Sequence, residues 1–160
     1  MRARPVAEIL FYRLSESPVE AALPNLLERS LERGWRVLLR VGSDAGLAFL
    51  DERLWTFRED GFLPHGVAGG RHDARQPVLL TRSAENANGA NVLMLALGAR
   101  AGVDEMAGYE RACLFFDAGD AAAVAAARDD WRAVVAAGLP AKYWGQENGR
   151  WMLKASGGTA

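Results

Sequence analysis

Between Glu8 and Trp55 the hydrophobic period of the chain switches twice from that of a strand to that of a helix. The run Glu8-Ile9-Leu10-Phe11-Tyr12 is short, apolar and rich in strand formers. It is followed by Val19, Leu23, Leu26, Leu27 and Leu31, which recur at three- and four-residue spacing along one helical face. Ser17 stands three residues before Glu20 in a capping-box spacing, with Pro18 at the first helical position, and Gly34 supplies a stop. Pro24 lies inside this pattern, where it can kink the helix or move its start. Arg36 to Val41 then reads as a second strand, followed by the turn Gly42-Ser43-Asp44 and an amphipathic stretch from Ala45 to Trp55. Strand, helix, strand, helix in this order predicts an α/β fold with a parallel sheet and right-handed crossovers.

Further along, residues 56 to 75 turn irregular and rich in Gly and Pro, which predicts an extended surface loop. Three more strand-like runs follow, Pro77 to Thr81, Asn91 to Leu97 and Arg111 to Phe116, giving a mainly parallel sheet of about five strands flanked by helices. Asp120 to Ala137 is an Ala-rich helix with Asp120 as its cap and Gly138 and Pro140 behind it. The tail from Lys142 to Lys154 carries Tyr143, Trp144 and Trp151, and residues 155 to 160 read as frayed. With 160 residues, half of them hydrophobic, one core is expected, and residues 1 to 154 read as a single domain.

Composition narrows the function. Nineteen Lys and Arg against twenty Asp and Glu give a net charge of −1, so the summed field does not favour a phosphate backbone and little direct nucleic-acid binding is expected. The single cysteine, Cys113, cannot form an internal disulfide and sits in the apolar run from Ala112 to Phe116, as a buried, inert thiol would. No stretch reaches the roughly 20 apolar residues of a bilayer span, so a cytoplasmic chain without membrane partners is expected. The loops after the strands offer little chemistry. Gly42-Ser43-Asp44-Ala45-Gly46 has neither the G-x-G-x-x-G spacing nor the Gly-Lys-[Ser/Thr] ending of a phosphate loop, and reads as an ordinary turn capped by Asp44. His65 and His72 share the irregular loop with Asp73 alone nearby, which is too little for a metal site. Asp51-Glu52, Asp104-Glu105 and Asp129-Asp130 are sequence neighbours that do not face each other on a helix, so no acid-base pair and no cofactor follow.

Aromatic residues stand in less ordinary places. Trp55, Phe57 and Phe62 cluster at a helix end and in the loop after it, as in a protein-binding patch or in a loop folded back over a satellite core. On the C-terminal helix, Arg128, Trp131 and Arg132 fall at three- and four-residue spacing, as an outward cation-aromatic ridge or as an amphipathic boundary.

These segments resemble the chi subunit family of DNA polymerase III. The resemblance is carried by Phe11-Tyr12-Arg13-Leu14, Gly34-Trp35-Arg36-Val37-Leu38, Leu50 to Trp55, Phe62-Leu63-Pro64-His65-Gly66, Gln76 to Leu80, and the stretch from Phe116-Asp117 through Trp131 to Tyr143-Trp144. It spans residues 6 to 146. It implies a nucleotide-binding-like, Rossmann-like fold used without a nucleotide, and an accessory subunit without catalysis. Two partners are implied: the acidic, apolar-ended C-terminal tail of single-stranded-DNA-binding protein, and the psi subunit, which links chi to the clamp loader. The tail is implied to dock at Arg128, Trp131 and Arg132. Val124 stands where some members carry a basic residue, which implies that part of the charge recognition is either absent or moved to Lys142. The psi-facing surface is implied to include Trp55 and Phe62, with Phe57 and Leu63 beside them, and an equivalent partner such as a helicase could use the same patch. Two rivals from other classes are a small nucleotide-dependent enzyme using the Gly42 to Gly46 turn, and a direct binder of single strands through Trp131 and Arg132.

Overall fold

The computed structural model describes residues 6–57 and 63–158. Strands β1 (Glu8–Leu14), β2 (Val37–Val41), β3 (Gly66–Val67), β4 (Val78–Thr81), β5 (Val92–Ala96), β6 (Arg111–Asp117), β7 (Ala141–Glu147) and β8 (Arg150–Gly157) form one sheet. The helices are α1 (Val19–Glu32), α2 (Asp44–Thr56), α3 (Val103–Ala107) and α4 (Ala121–Ala136). The strand order is β3-β4-β2-β5-β6-β1-β7-β8, parallel throughout except for the antiparallel pair β7/β8. It differs from the 3-2-1-4-5-6 order of a dinucleotide-binding sheet, since β5 and β6 lie between β2 and β1.

Every residue of β2, β4 and β5 is buried, as expected for parallel strands covered on both faces. Alternate side chains feed two cores. Leu10, Leu39, Leu80 and Cys113 meet Leu23 and Leu27 of α1 and Leu50 and Leu54 of α2. Ile9, Phe11, Leu38 and Leu93 meet Met106 of α3 and Ala127 and Val134 of α4. The result is a three-layer α/β/α domain. No helix among the described residues is long and apolar enough to cross a membrane.

Local chemistry explains where the elements stop and where they differ from expectation. Gly34 follows α1 with φ +80° and Gly138 follows α4 with φ +77°, the left-handed conformation that closes a helix at little steric cost to glycine. Pro18 stands one position earlier than expected, as the α1 cap, and its carbonyl accepts from Ala21 and Ala22. The Ser17 hydroxyl does not cap the helix; it accepts from Gln146 Nε2 at 2.6 Å. Gln146 Oε1 in turn accepts from the amides of Ser15, Glu16 and Ser17, so one side chain of β7 closes the β1–α1 loop. The cap of α2 is Ser43, whose Oγ accepts from the Gly46 amide at 3.0 Å, and not Asp44.

Among the described residues the sheet has eight strands where about five were expected. β3 lies inside the segment read as irregular, and β7 and β8 form a hairpin in the tail. Its turn is Asn148-Gly149, both residues at positive φ, the pairing that two-residue hairpins favour. The Glu16 carboxylate accepts from both turn amides at 2.9 Å. Residues 155 to 157 are not frayed: Ala155, Ser156 and Gly157 pair with Tyr143, Lys142 and Ala141.

Candidate functional site

Helix α4 starts firmly, because Asp120 Oδ1 accepts from the amides of Ala122 and Ala123 at 3.0 and 3.1 Å. It turns Ala127 and Val134 onto the sheet. Arg128 and Arg132 are exposed on it, but Trp131 does not complete an outward ridge. The Trp131 indole is part-buried against the second core, edge-on to Phe11 at 5.3 Å and to Tyr143 at 6.0 Å. The helix packs the side that carries Trp131 over β1 and β7, where large rings fill the space beside its alanines. A Cβ on Gly157 would sit 3.2 Å from Trp131 Cζ2, so this glycine lets β8 pass against the indole.

The floor is therefore a chain of rings, Phe11, Trp131, Tyr143 and Phe116, with Phe116 and Tyr143 at 5.9 Å. Burial pushes the Tyr143 hydroxyl above its usual range, while the guanidinium groups of Arg13 and then Arg128 pull it the other way. Both arginines are exposed, and neither has a carboxylate within ion-pair distance among the described residues. Arg132 does, at 3.7 Å from Asp129, in an exposed pair worth little. Lys142 cannot substitute for a cation at Val124. Strand alternation turns Lys142 to the opposite face of the sheet, 3.7 Å from Glu8, and Val124 itself packs on the second core.

The second aromatic group divides between core and surface. Leu63 is buried in the first core and Phe57 packs partly buried against it, whereas Trp55 is 50% exposed. Phe62 lies outside the described residues. The Trp55 ring rests 4.3 Å from that of His65. His65 is buried, with Nδ1 2.7 Å from the Leu63 carbonyl and Nε2 3.1 Å from the Asp51 carboxylate, so it ties the segment after α2 back onto that helix.

At the carboxyl ends of β1, β5 and β6 lies a cleft of about 830 Å³. Its charged rim is Glu16, Glu20, Asp117, Asp120 and Asp130 against Arg100 alone, which repels phosphate. The nearby turn from Gly42 to Gly46 is shaped by packing: a Cβ on Gly42 would lie 2.6 Å from the Leu97 carbonyl oxygen. Gly42→Ala is expected to lower stability by about 1–3 kcal/mol through that clash, read in a thermal melt. Among the described residues no three His, Cys, Asp or Glu side chains group as metal ligands. Burial pushes the Cys113 thiol up to about 12, which leaves it un-ionised and unreactive at neutral pH.

Sequence spacing placed Arg128 and Arg132 together on α4 but gave no sign that Arg13 and Tyr143 are neighbours on one face of the sheet. The signal for Arg13 is its place as the one exposed residue of β1, a charge interrupting an apolar strand on the same face as Phe11.

The family model described as DNA polymerase III chi subunit, HolC, matches residues 6–142. DNA polymerase III subunit chi of Pseudomonas aeruginosa is 36% identical over 73 residues, which are 44% of this chain and 50% of that protein. A probable DNA polymerase III subunit chi of Rickettsia prowazekii is 26% identical over 84 residues, 52% of this chain and 51% of that protein. The chain spans about half the length of the curated relatives it matches. With the match running from before β1 into β7, and so through every helix of the fold, the chain belongs to the DNA polymerase III chi subunit family.

Proposed function

We propose that this chain is a non-catalytic adaptor of DNA polymerase III that binds the acidic C-terminal tail of single-stranded-DNA-binding protein on the face made by α4 and β7. A second partner, psi or an equivalent such as a helicase, docks around Trp55 and connects the chain to the clamp loader. The observation that carries the first half is Arg128, exposed and without a carboxylate partner among the described residues, on the same helix as Trp131 of the part-buried Trp131–Tyr143 pair. A guanidinium beside an aromatic pair suits a peptide that presents carboxylates next to a terminal apolar side chain. The segment gives up chain entropy on ordering and relies on exposed charge, so its affinity is modest and falls with salt. The overall charge of −1 and the acidic rim of the large cleft favour a peptide ligand over a nucleotide or a bare strand.

The test is a fluorescence-anisotropy titration of a labelled peptide with the last ten residues of the host's own single-stranded-DNA-binding protein. Saturable binding that weakens with salt, and by roughly tenfold or more in Arg128→Ala, is the expected result. No binding by the wild type, or equal binding by Arg128→Ala, overturns the assignment of this face.

A further inference from the structure

We propose that Arg13 is a second anion-recognition residue of this face, acting from the sheet opposite Arg128 so that an acidic peptide is held between one guanidinium on β1 and one on α4. The inference rests on the reading of the α4–β7 face as the tail site and adds to it a residue from a different element.

Arg13 is the one exposed position in a strand whose neighbours Tyr12 and Leu14 are both buried. Alternation along β1 sends Ile9 and Phe11 into the core under α4, and Arg13 follows them to that face. Its partner in register is Gly145, and Phe11 pairs with Tyr143, so Arg13 and Tyr143 are diagonal neighbours on one face. Beside them the stem of Lys154 lies over Gly145, and its ammonium is engaged by Glu147. Arg13 has no such partner: among the described residues no carboxylate lies within ion-pair distance of it or of Arg128. A guanidinium from β1 and one from α4 thus flank the Trp131–Tyr143 pair, Arg13 as the diagonal neighbour of Tyr143 and Arg128 one helical turn before Trp131. Two cations on one face suit a ligand with more than one carboxylate. Both arginines stand on regular elements, so little ordering is needed before the ligand binds.

The experiment uses the same labelled ten-residue peptide with wild type, Arg13→Ala, Arg13→Lys and Arg128→Ala, each titrated at low and moderate salt. The expected result is a roughly five- to twentyfold loss in Arg13→Ala, a shallower salt dependence, and partial recovery in Arg13→Lys, which keeps the charge but not the fork. Arg13→Gln serves as a second variant if alanine at this position alters the melting curve. Binding by Arg13→Ala and Arg13→Gln equal to wild type, with loss in Arg128→Ala, overturns the role of Arg13 and leaves the tail site standing. Absence of binding by the wild type removes the tail site itself, and this inference with it.

Discussion

Glu105→Ala is expected to lower the stability of the domain by about 3–5 kcal/mol, because it leaves a buried guanidinium without its counter-charge. Arg40 interrupts the apolar strand β2 and is only 6% exposed. Its Nε donates to the Ser83 carbonyl at 3.1 Å, and its two terminal nitrogens donate to the two carboxylate oxygens of Glu105 on α3. With the carboxylate gone, only carbonyls remain to offset desolvation of the charge. Arg40→Met removes the charge and fills most of its volume, and the Glu105 side chain left behind is 29% exposed and can be hydrated, so this substitution is expected to be much milder. Urea unfolding followed by tryptophan fluorescence distinguishes them, and the alanine variant should melt on the order of 10 °C lower. Equal effects of the two substitutions would mean that side-chain volume, not charge, governs the site.

Phe11→Ala is expected to have a similar effect, about 3–5 kcal/mol, and to weaken tail binding as well. Phe11 is fully buried at the centre of the second core and meets Trp131 edge-on at 5.3 Å. Its loss removes one ring of the aromatic floor of the proposed peptide site and opens a cavity beside Trp131. Phe11→Leu should retain most of the stability while removing the ring contact. Unfolding midpoints for both variants, with the anisotropy titration under folded conditions, separate support of the core from support of Trp131. Wild-type affinity in Phe11→Leu would show that the indole is held without this ring.

Much of the fold was legible because its strongest signals are local. The Ala-rich run between Asp120 and Gly138 carries its own cap and stop, and α4 follows it closely. β2, β4 and β5 are continuous apolar runs, which is how doubly covered strands read. β7 and β8 lack this signature, since most of β8 is exposed and the hairpin is held by pairing to β1. Their one local mark is Asn148-Gly149, a turn pair that outweighs the polar composition around it.

The layout of the candidate face was half legible for the same reason. Arg128 and Arg132 share a helical face by spacing alone, but whether Trp131 points outward depends on which side of α4 meets the sheet. Arg13 and Tyr143 come from opposite ends of the chain and meet through parallel pairing that no local pattern records. The cluster after α2 contained both of its possible meanings, with Leu63 turned into the core and Trp55 left half exposed.

The position of β1 bears on how the chain is made. It precedes every other strand of the described sheet in the chain, yet its hydrogen-bonding neighbours are β6 and β7, with Glu8 opposite Arg111 and Ile9 opposite Ala141. On the order of a hundred residues must follow before either partner exists, which at ribosomal rates means roughly 5–20 s. During that interval the apolar stretch from Ile9 to Tyr12 has both edges unpaired, while β2, β4 and β5 can already assemble beside one another. Closure of the sheet around β1 is thus a late, long-range step, and the nascent chain is most exposed to chaperones and to aggregation just before β6 and β7 are translated.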